Sequence, residues 1–290
     1  LATNIIPEKV CEILKKNKIN FYESGINHGT VTARIEQHKF EITTLRKDVL
    51  TDGRHAKVEF SHDWYEDASR RDFTFNAIYA DLHGNLYDPF DGKKDLNLGI
   101  VKFIGDPEKR IKEDYLRILR YVRFFLNYSK KDHDENLKKI IKRNINGISK
   151  ISSDRLIDEL KKLFLTSGFL KLTKDKFCQE IISLIFPQLI NMSIFQNTND
   201  HSKKIIEQKD FIFLISLMII DSTDNSEYFI YKYNISNEDK KRIRFLSNIY
   251  SKNLDKDLFK EKNLWKIFYF NGKNSLIDLI NFQIFQNKKL

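Results

Sequence analysis

The densest group of polar residues that could do chemistry is the segment from Ser69 to Ala77, which reads Ser-Arg-Arg-Asp-Phe-Thr-Phe-Asn-Ala. Arg70 and Arg71 could bind phosphate, because a guanidinium group donates paired hydrogen bonds to an anion. Asp72 and Asn76 could hold the hydroxyl groups of a sugar. The structural alternative is a capped helix start with a salt bridge from either arginine to Asp72. Residue types alone leave both interpretations open.

A second polar series lies on the first long helix that the sequence predicts. Apolar residues recur in it at steps of four, three, four and three, which gathers them on one narrow stripe. They are Ile111, Tyr115, Ile118, Val122 and Phe125. We therefore predict one continuous helix through residues 111–125, with its polar side chains on the opposite face.

Four charged residues follow one another at three-residue steps on that exposed face. They are Asp114, Arg117, Arg120 and Arg123. Arginines this close repel one another unless an anion lies nearby. A carboxylate one turn before an arginine also offers an acceptor and donors in fixed geometry, which could mimic the pairing edge of a base. The alternative is an ordinary solvated face with an ion pair between Asp114 and Arg117.

A carboxylate on a predicted strand is the third candidate. Residues 31–35 and 40–45 alternate like the two strands of a hairpin. Glu41 lies between Phe40 and Ile42, so its side chain points to the face opposite theirs. In a phosphoryl-transfer site such a carboxylate could bind or orient magnesium. A solvent-facing strand residue is the ordinary alternative.

The elements that must position these residues follow from the same periodicities. Residues 7–16 predict a short helix, and residues 77–80 and 86–87 a second hairpin. The charged stretch 46–67 predicts a mobile loop followed by a short helix. After Pro107 the pattern is helical throughout. The further predicted helices cover residues 154–165, 177–190, 202–221, 238–250 and 264–285.

The composition favours a polyanionic partner and a reducing compartment. Lys and Arg number 50 against 40 Asp and Glu, a net charge of +10, which suits RNA, although a compositionally biased source would give the same balance. Cys11 and Cys178 have no metal-ligand spacing and indicate neither a zinc site nor a disulfide framework. The longest apolar run, residues 211–220, is too short to cross a bilayer. We expect a cytoplasmic protein without a membrane segment.

Several segments along residues 1–165 also follow one another in an informative order. They are Leu1-Ala-Thr-Asn4, His28-Gly-Thr-Val31, Phe40-Glu-Ile-Thr-Thr-Leu-Arg46, Arg70 to Ala77, Asp88-Pro-Phe-Asp-Gly92 with Asp95-Leu96, Glu113-Asp-Tyr-Leu-Arg117, and Ile151 to Leu160. Together they resemble the motifs of the class II tRNA nucleotidyltransferases, the family of the CCA-adding enzymes and bacterial poly(A) polymerases. Because several long motifs agree at once, the resemblance is specific.

The resemblance implies an architecture and a reaction. An α+β nucleotidyltransferase head with an antiparallel or mixed sheet would cover residues 1–98, and an all-α neck residues 99–165. A helical body and tail, residues 166–290, would bind tRNA. The implied reaction is template-independent addition of CMP and AMP, as CCA, to the 3′ end of tRNA. It uses CTP, ATP and Mg²⁺ and releases pyrophosphate.

The resemblance also implies roles for the candidate residues. Glu41 would support the metal site, and the stretch 46–67 would be the flexible loop that helps the switch from C to A addition. Asp114 and Arg117 would pair with the incoming base. Phosphate and ribose would be bound by the remaining residues of the nucleotide-binding set, Arg70, Arg71, Asp72, Asn76, Arg120 and Arg123.

The family places two further metal-binding aspartates in a strand directly before the position of Leu1. We therefore expect the chain to polymerise little unless a longer form, or a separate chain, supplies them. A poly(A) polymerase and an enzyme that adds only CC or only A share the quoted motifs and stay open. A non-catalytic RNA-binding remnant is the alternative from another class.

Overall fold

The computed structural model describes residues 1–52, 55–196, 198–208, 210–251 and 256–286. The chain divides into two compact units. The first comprises residues 1–117 and 128–144, and the second comprises residues 118–127 and 145–290. Strands occur in the first unit and give way to helices, which confirms the predicted fold class of an α+β head followed by helical regions.

A four-stranded sheet forms the start of the first unit, in the order β1-β4-β3-β2. Its strands are β1 (Ala2–Thr3), β2 (Asn20–Gly25), β3 (Thr30–Ile35) and β4 (His38–Thr44). Strand β1 runs parallel to β4, and the other pairs are antiparallel. Helix α1 (Pro7–Lys16) packs Val10 and Leu14 against the sheet residues Val31 and Ala33. The predicted first helix and first hairpin are therefore confirmed.

The stretch predicted as a mobile loop contains two paired strands, so the prediction that it lacks strands is wrong. Strands β5 (Arg46–Asp52) and β6 (His55–Phe60) pair antiparallel. Gly53 and Arg54, which the predicted loop includes, lie outside the described residues. The sequence did not predict these strands because their charged residues show no period-2 pattern. Two strands can still pair, since the hydrogen bonds of a β-ladder are made by the backbone and do not require an apolar face. The short helix that was predicted to follow is present as α2 (Trp64–Ser69).

The remaining elements of the head motifs follow closely. Strands β7 (Tyr79–Ala80) and β8 (Leu86–Tyr87) form the predicted hairpin. Helix α3 (Gly92–Leu98) begins where the Asp88 carboxylate accepts hydrogen bonds from two backbone amides of its first turn. A β-carbon on Gly92 would lie 2.3 Å from the Thr74 carbonyl oxygen, so only glycine allows this approach.

The long helix predicted through residues 111–125 is two helices, which corrects the prediction. They are α4 (Pro107–Glu113) and α5 (Leu116–Tyr128). Asp114, the C-cap of α4, has φ −152° and ψ 104°, and its carboxylate caps the start of α5 by accepting from the Leu116 amide at 3.2 Å. The regular spacing of apolar residues continues across this break, because the positions of the buried side chains do not depend on the backbone angles of one residue. The spacing therefore did not predict the break. Helix α6 (Glu135–Asn144) completes the first unit.

The second unit is helical over its described residues. Its helices after α5 are α7 (Ser153–Phe164), α8 (Phe169–Leu172), α9 (Lys176–Ile185), α10 (Asp200–Gln208), α11 (Phe211–Ile219), α12 (Asn225–Lys232), α13 (Asn237–Ser251) and α14 (Glu261–Gln286). All residues of α11 are buried, so this helix forms the centre of the unit's core. None of the described helices is both long and apolar enough to span a bilayer.

Three of the predicted body helices have different limits. The helix predicted over 177–190 ends at Ile185. The one predicted over 202–221 is α10 and α11, because the Asp210 carboxylate caps a new helix by accepting from the Phe213 amide at 3.0 Å. Lys209 lies outside the described residues. The last helix is kinked at Gly272, whose φ of 80° is left-handed.

Candidate functional site

The first arginine motif is organised by Asp67, a residue of α2 that the sequence did not single out. Its carboxylate is only 2% exposed and accepts from Arg70 at 2.7 Å and from Arg71 at 2.9 Å. The Tyr79 hydroxyl donates to it at 2.5 Å. The structural alternative had assigned the salt bridge to Asp72, and the partner is Asp67 instead. Helical spacing of three and four residues could have found it.

The environment of Asp67 keeps this cluster charged. Burial alone would raise the pKa of Asp67, but the charge of Arg70 and hydrogen bonds from Tyr79 and both arginines outweigh it, so the pKa is lowered. Burial, together with the hydrogen bond to Asp67, raises the pKa of Tyr79 well above its ordinary value. Two guanidinium groups therefore face one carboxylate, and one net positive charge remains for an anion.

The two arginines differ in how much of that charge they can present. Arg70 is 17% exposed and also donates to the Arg46 carbonyl oxygen at 3.0 Å. Arg71 is 35% exposed, donates to the Asn76 carbonyl oxygen at 3.2 Å and lies 5.0 Å from the centre of the Tyr79 ring. Arg71 is therefore the better placed of the pair to contact an anion.

Asp72 and Asn76 are held together beside this cluster. The Asn76 side-chain amide donates to the Asp72 carboxylate at 2.9 Å, and the Phe73 backbone amide donates to the same oxygen at 3.0 Å. Asp72 is buried, and the adjacent Thr74 hydroxyl donates to the buried Asp95 carboxylate at 2.8 Å. These contacts orient the two residues that were predicted to read a sugar.

A second carboxylate, Glu113, holds the arginine that links the two arginine motifs of the first unit. It accepts from Arg110 at 2.9 Å and from Arg117 at 2.7 Å. Arg117 is 12% exposed and also donates to the Arg70 carbonyl oxygen at 3.1 Å. The structure thus brings together residues that lie 47 positions apart in the sequence. Asp114 lies next to this contact, and its carbonyl oxygen accepts from the Arg117 amide at 3.0 Å.

Arg120 and Arg123 belong to the second unit and share a different carboxylate, Glu159 of α7. Arg123 donates to it through Nε, and Arg120 lies 3.8 Å from it. Glu159 is 2% exposed, whereas Arg120 is 28% exposed. The Arg123 guanidinium also lies 4.0 Å from the centre of the Phe124 ring. Glu159 supplies the anion that closely spaced arginines require, and no local spacing in the sequence indicates it.

Glu41 lies on β4, where its position in the ladder is opposite Thr32. Its side chain is exposed, whereas the neighbouring Ile42 packs against the core under the sheet. The predicted orientation is therefore confirmed. Among the described side chains, no lysine or arginine forms an ion pair with Glu41, so its oxygens can take a cation.

Known proteins are similar to this chain in sequence. Residues 1–102 match the family model of the poly(A) polymerase head domain. The human mitochondrial CCA tRNA nucleotidyltransferase 1 is 46% identical over 167 residues, which cover 57% of this chain and 38% of the relative. The CCA-adding enzyme of Staphylococcus haemolyticus is 30% identical over 287 residues, 97% of this chain and 66% of the relative.

The fold matches a solved structure along nearly the whole chain. The crystal structure of the Bacillus stearothermophilus CCA-adding enzyme in complex with CTP has a TM-score of 0.71 at 20% identity, covering 99% of this chain and 68% of that one. The fold and the motifs define a nucleotidyltransferase-type protein. The chain belongs to the class II tRNA nucleotidyltransferase family of the CCA-adding enzymes. It spans 38% of the length of its human relative.

Proposed function

We propose that this chain carries the nucleotide-selecting part of an enzyme that adds CCA to the 3′ end of tRNA. CTP and ATP would be the substrates, and pyrophosphate the second product. The observation that carries the proposal is the connection from Arg71 through Asp67 and Arg70 to Arg117, which joins the two predicted nucleotide motifs. The names of the relatives, and the CTP bound to the solved enzyme, support the same substrates.

Phosphate and ribose would be bound by the first motif. Arg71 presents the more exposed guanidinium of a cluster with one net positive charge, which suits a triphosphate. The Asp72 carboxylate would accept hydrogen bonds from ribose hydroxyls, and the Asn76 amide would exchange hydrogen bonds with them. Arg120, the more exposed arginine of the Glu159 pair, is the better candidate for a further phosphate contact.

The incoming base would be selected by Asp114 and Arg117. The break between α4 and α5 places Asp114 one turn before Arg117, and Glu113 fixes the Arg117 guanidinium. A rigid acceptor followed by rigid donors can discriminate bases by hydrogen bonding, because a wrong base leaves buried polar groups unpaired.

Asp114→Asn in a completed enzyme tests this role. Asparagine caps a helix about as well as aspartate, so α5 should be retained, whereas an acceptor becomes a donor at the base. We expect the preference for CTP and ATP over UTP and GTP to fall about tenfold or more. Unchanged discrimination by the Asn variant would refute the role, and Asp114→Ala would report the added cost of losing the cap.

Magnesium would be held in part by Glu41. A strand that continues upstream of β1 in the same register would lie alongside Glu41, since Ala2 is aligned with Thr43 on β4. The resemblance places two metal-binding aspartates in such a strand, and three carboxylates suit Mg²⁺. When bound, the metal would activate the primer hydroxyl and neutralise the triphosphate.

The three-part division and the location remain proposals. A head over residues 1–98 is supported by the family match to residues 1–102. The neck over 99–165 and the tRNA-binding body over 166–290 rest on the resemblance. A cytoplasmic location stays a prediction, and the human relative is mitochondrial.

Labelled CTP and ATP, with tRNA lacking its 3′ CCA, test the reaction. We would compare this chain with a fusion to the upstream segment of the Staphylococcus haemolyticus relative, in magnesium buffer. Addition of three nucleotides by the fusion supports the proposal. A long A tail would indicate a poly(A) polymerase, which the match to a poly(A) polymerase head keeps open. Binding of tRNA without any incorporation would indicate an RNA-binding remnant.

A further inference from the structure

A pocket lies in the first unit, between α2 and the β7–β8 hairpin. Its volume is 830 Å³, within the range of small-molecule sites. Among its lining residues are four aromatic side chains, His62, Trp64, Tyr79 and Tyr87, and no arginine or lysine. The proposed function uses none of the pocket except Tyr79, which reaches Asp67 through its hydroxyl group.

Three carboxylates line the pocket, those of Asp63, Glu66 and Asp81. Each accepts a hydrogen bond from a nearby donor. The Tyr65 amide donates to Asp63 at 2.7 Å, the Ser61 hydroxyl to Glu66 at 2.5 Å, and the Asn85 side chain to Asp81 at 2.8 Å. Among the described side chains, no lysine or arginine forms an ion pair with any of them. In a chain of net charge +10, three carboxylates around one pocket without a basic partner form a local negative field.

The aromatic side chains form a prearranged wall. Trp64 meets Tyr79 edge to face with ring centres 5.0 Å apart, and Tyr79 lies 6.2 Å from Tyr87. The bond from the Tyr79 hydroxyl to the buried Asp67 holds the ring in place. The Arg71 guanidinium already lies over the Tyr79 ring, 5.0 Å from its centre. A cation in the pocket would therefore be attracted by the remaining aromatic surface and by the carboxylates beside it. The same charges repel phosphate, so this pocket does not suit a nucleoside triphosphate.

We propose that this pocket binds a small organic cation, a free molecule carrying alkylammonium or guanidinium groups. The aromatic wall would hold the apolar stem and one charged end, and Glu66 and Asp81 would pair with the charge. Binding at this site does not depend on the proposed function, because it needs no nucleotide, tRNA or metal.

Tryptophan fluorescence tests the proposal directly. The chain has two tryptophans, so Trp265→Phe leaves Trp64 as the only reporter, inside the pocket. This variant is titrated at pH 8 and low salt with 1,4-diaminobutane, spermidine and agmatine. The uncharged control is 1,4-butanediol, which has the same length as the diamine. We expect a saturable change in emission with the cations and none with the diol.

Two further variants assign the response to the carboxylates. Glu66→Gln and Asp81→Asn remove the charges and keep one acceptor oxygen each, which serves the Ser61 hydroxyl at Glu66 and the backbone amides of His83 and Asn85 at Asp81. Together they should weaken the diamine about tenfold. Glu207→Gln, an exposed change in the other unit, should leave the affinity unaltered. The proposal is overturned if the diol gives the same response, if no cation saturates the signal, or if neutralising both pocket carboxylates leaves the affinity unchanged.

Discussion

A buried carboxylate holds a pair of arginines in each unit, but the two clusters are built differently. Asp67 binds the arginines that follow it by three and four residues, within one helix and its end. Glu159 reaches Arg123 across 36 residues, from a different helix. Both carboxylates are 2% exposed. The same chemistry is therefore local in one unit and tertiary in the other, and only the local form can be found from spacing.

Removal of the local carboxylate should have the largest effect. Asp67→Ala leaves two partly buried guanidinium groups, the Tyr79 hydroxyl and the Arg46 amide without their acceptor. We expect the free energy of unfolding to fall by about 3 kcal/mol, measured by urea denaturation. Glu207→Ala, at an exposed position, should change it by less than about 0.5 kcal/mol. A similar small change for Asp67→Ala would contradict its central role.

Removal of the tertiary carboxylate should cost less. Glu159→Ala removes the carboxylate that Arg123 contacts, but Arg123 retains its contact with the Phe124 ring. Arg120 is exposed enough to be solvated by water. We expect a loss of about 2 kcal/mol in the same denaturation experiment. A loss greater than that of Asp67→Ala would show that the second cluster contributes more stability than the first.

The dependence of stability on pH sharpens the comparison. The pKa of Asp67 is lowered in the folded chain from its ordinary value of 3.8, so the ionised carboxylate stabilises the fold above that pH. This contribution is lost as the pH falls below 3.8 and through the folded-state value. Denaturation between about pH 2.5 and 6 should therefore show a steeper acid loss for the parent chain than for Asp67→Asn. Equal slopes would contradict the lowered pKa.

The smallest effect is expected from Tyr79→Phe. The change removes one hydrogen bond to Asp67, while both arginines remain on the carboxylate. We expect a loss of about 1 kcal/mol. Tyr87→Phe serves as the matched control, because Tyr87 lies on the same hairpin and is exposed. Equal effects of the two changes would show that the Tyr79 hydroxyl does not anchor the cluster.

The fold could be predicted where side-chain pattern and structure share a cause. The alternation of apolar and polar residues around Glu41 and the helical spacing of apolar residues in 7–16 each indicate an element with one buried face. Strand β4 and helix α1 are both present. The hairpin at Arg46–Phe60 was missed because its strands carry charged side chains. The break at Asp114 was missed because a cap is decided by one residue's backbone angles, whereas periodicity averages over several turns.

The sequence by itself determined the family and the order of the motifs, and it predicts the residues that would contact a nucleotide. It determined the orientation of Glu41 as well, since strand geometry alternates with each residue. Only the tertiary structure decided that Arg120 and Arg123 meet Glu159, whereas Asp67 and Glu113 lie within about one helical turn of their arginines. The physical reason is that ion pairing depends on distance and on removal from water. Both are set by which elements pack together, and neither is written in the spacing of residues along one helix.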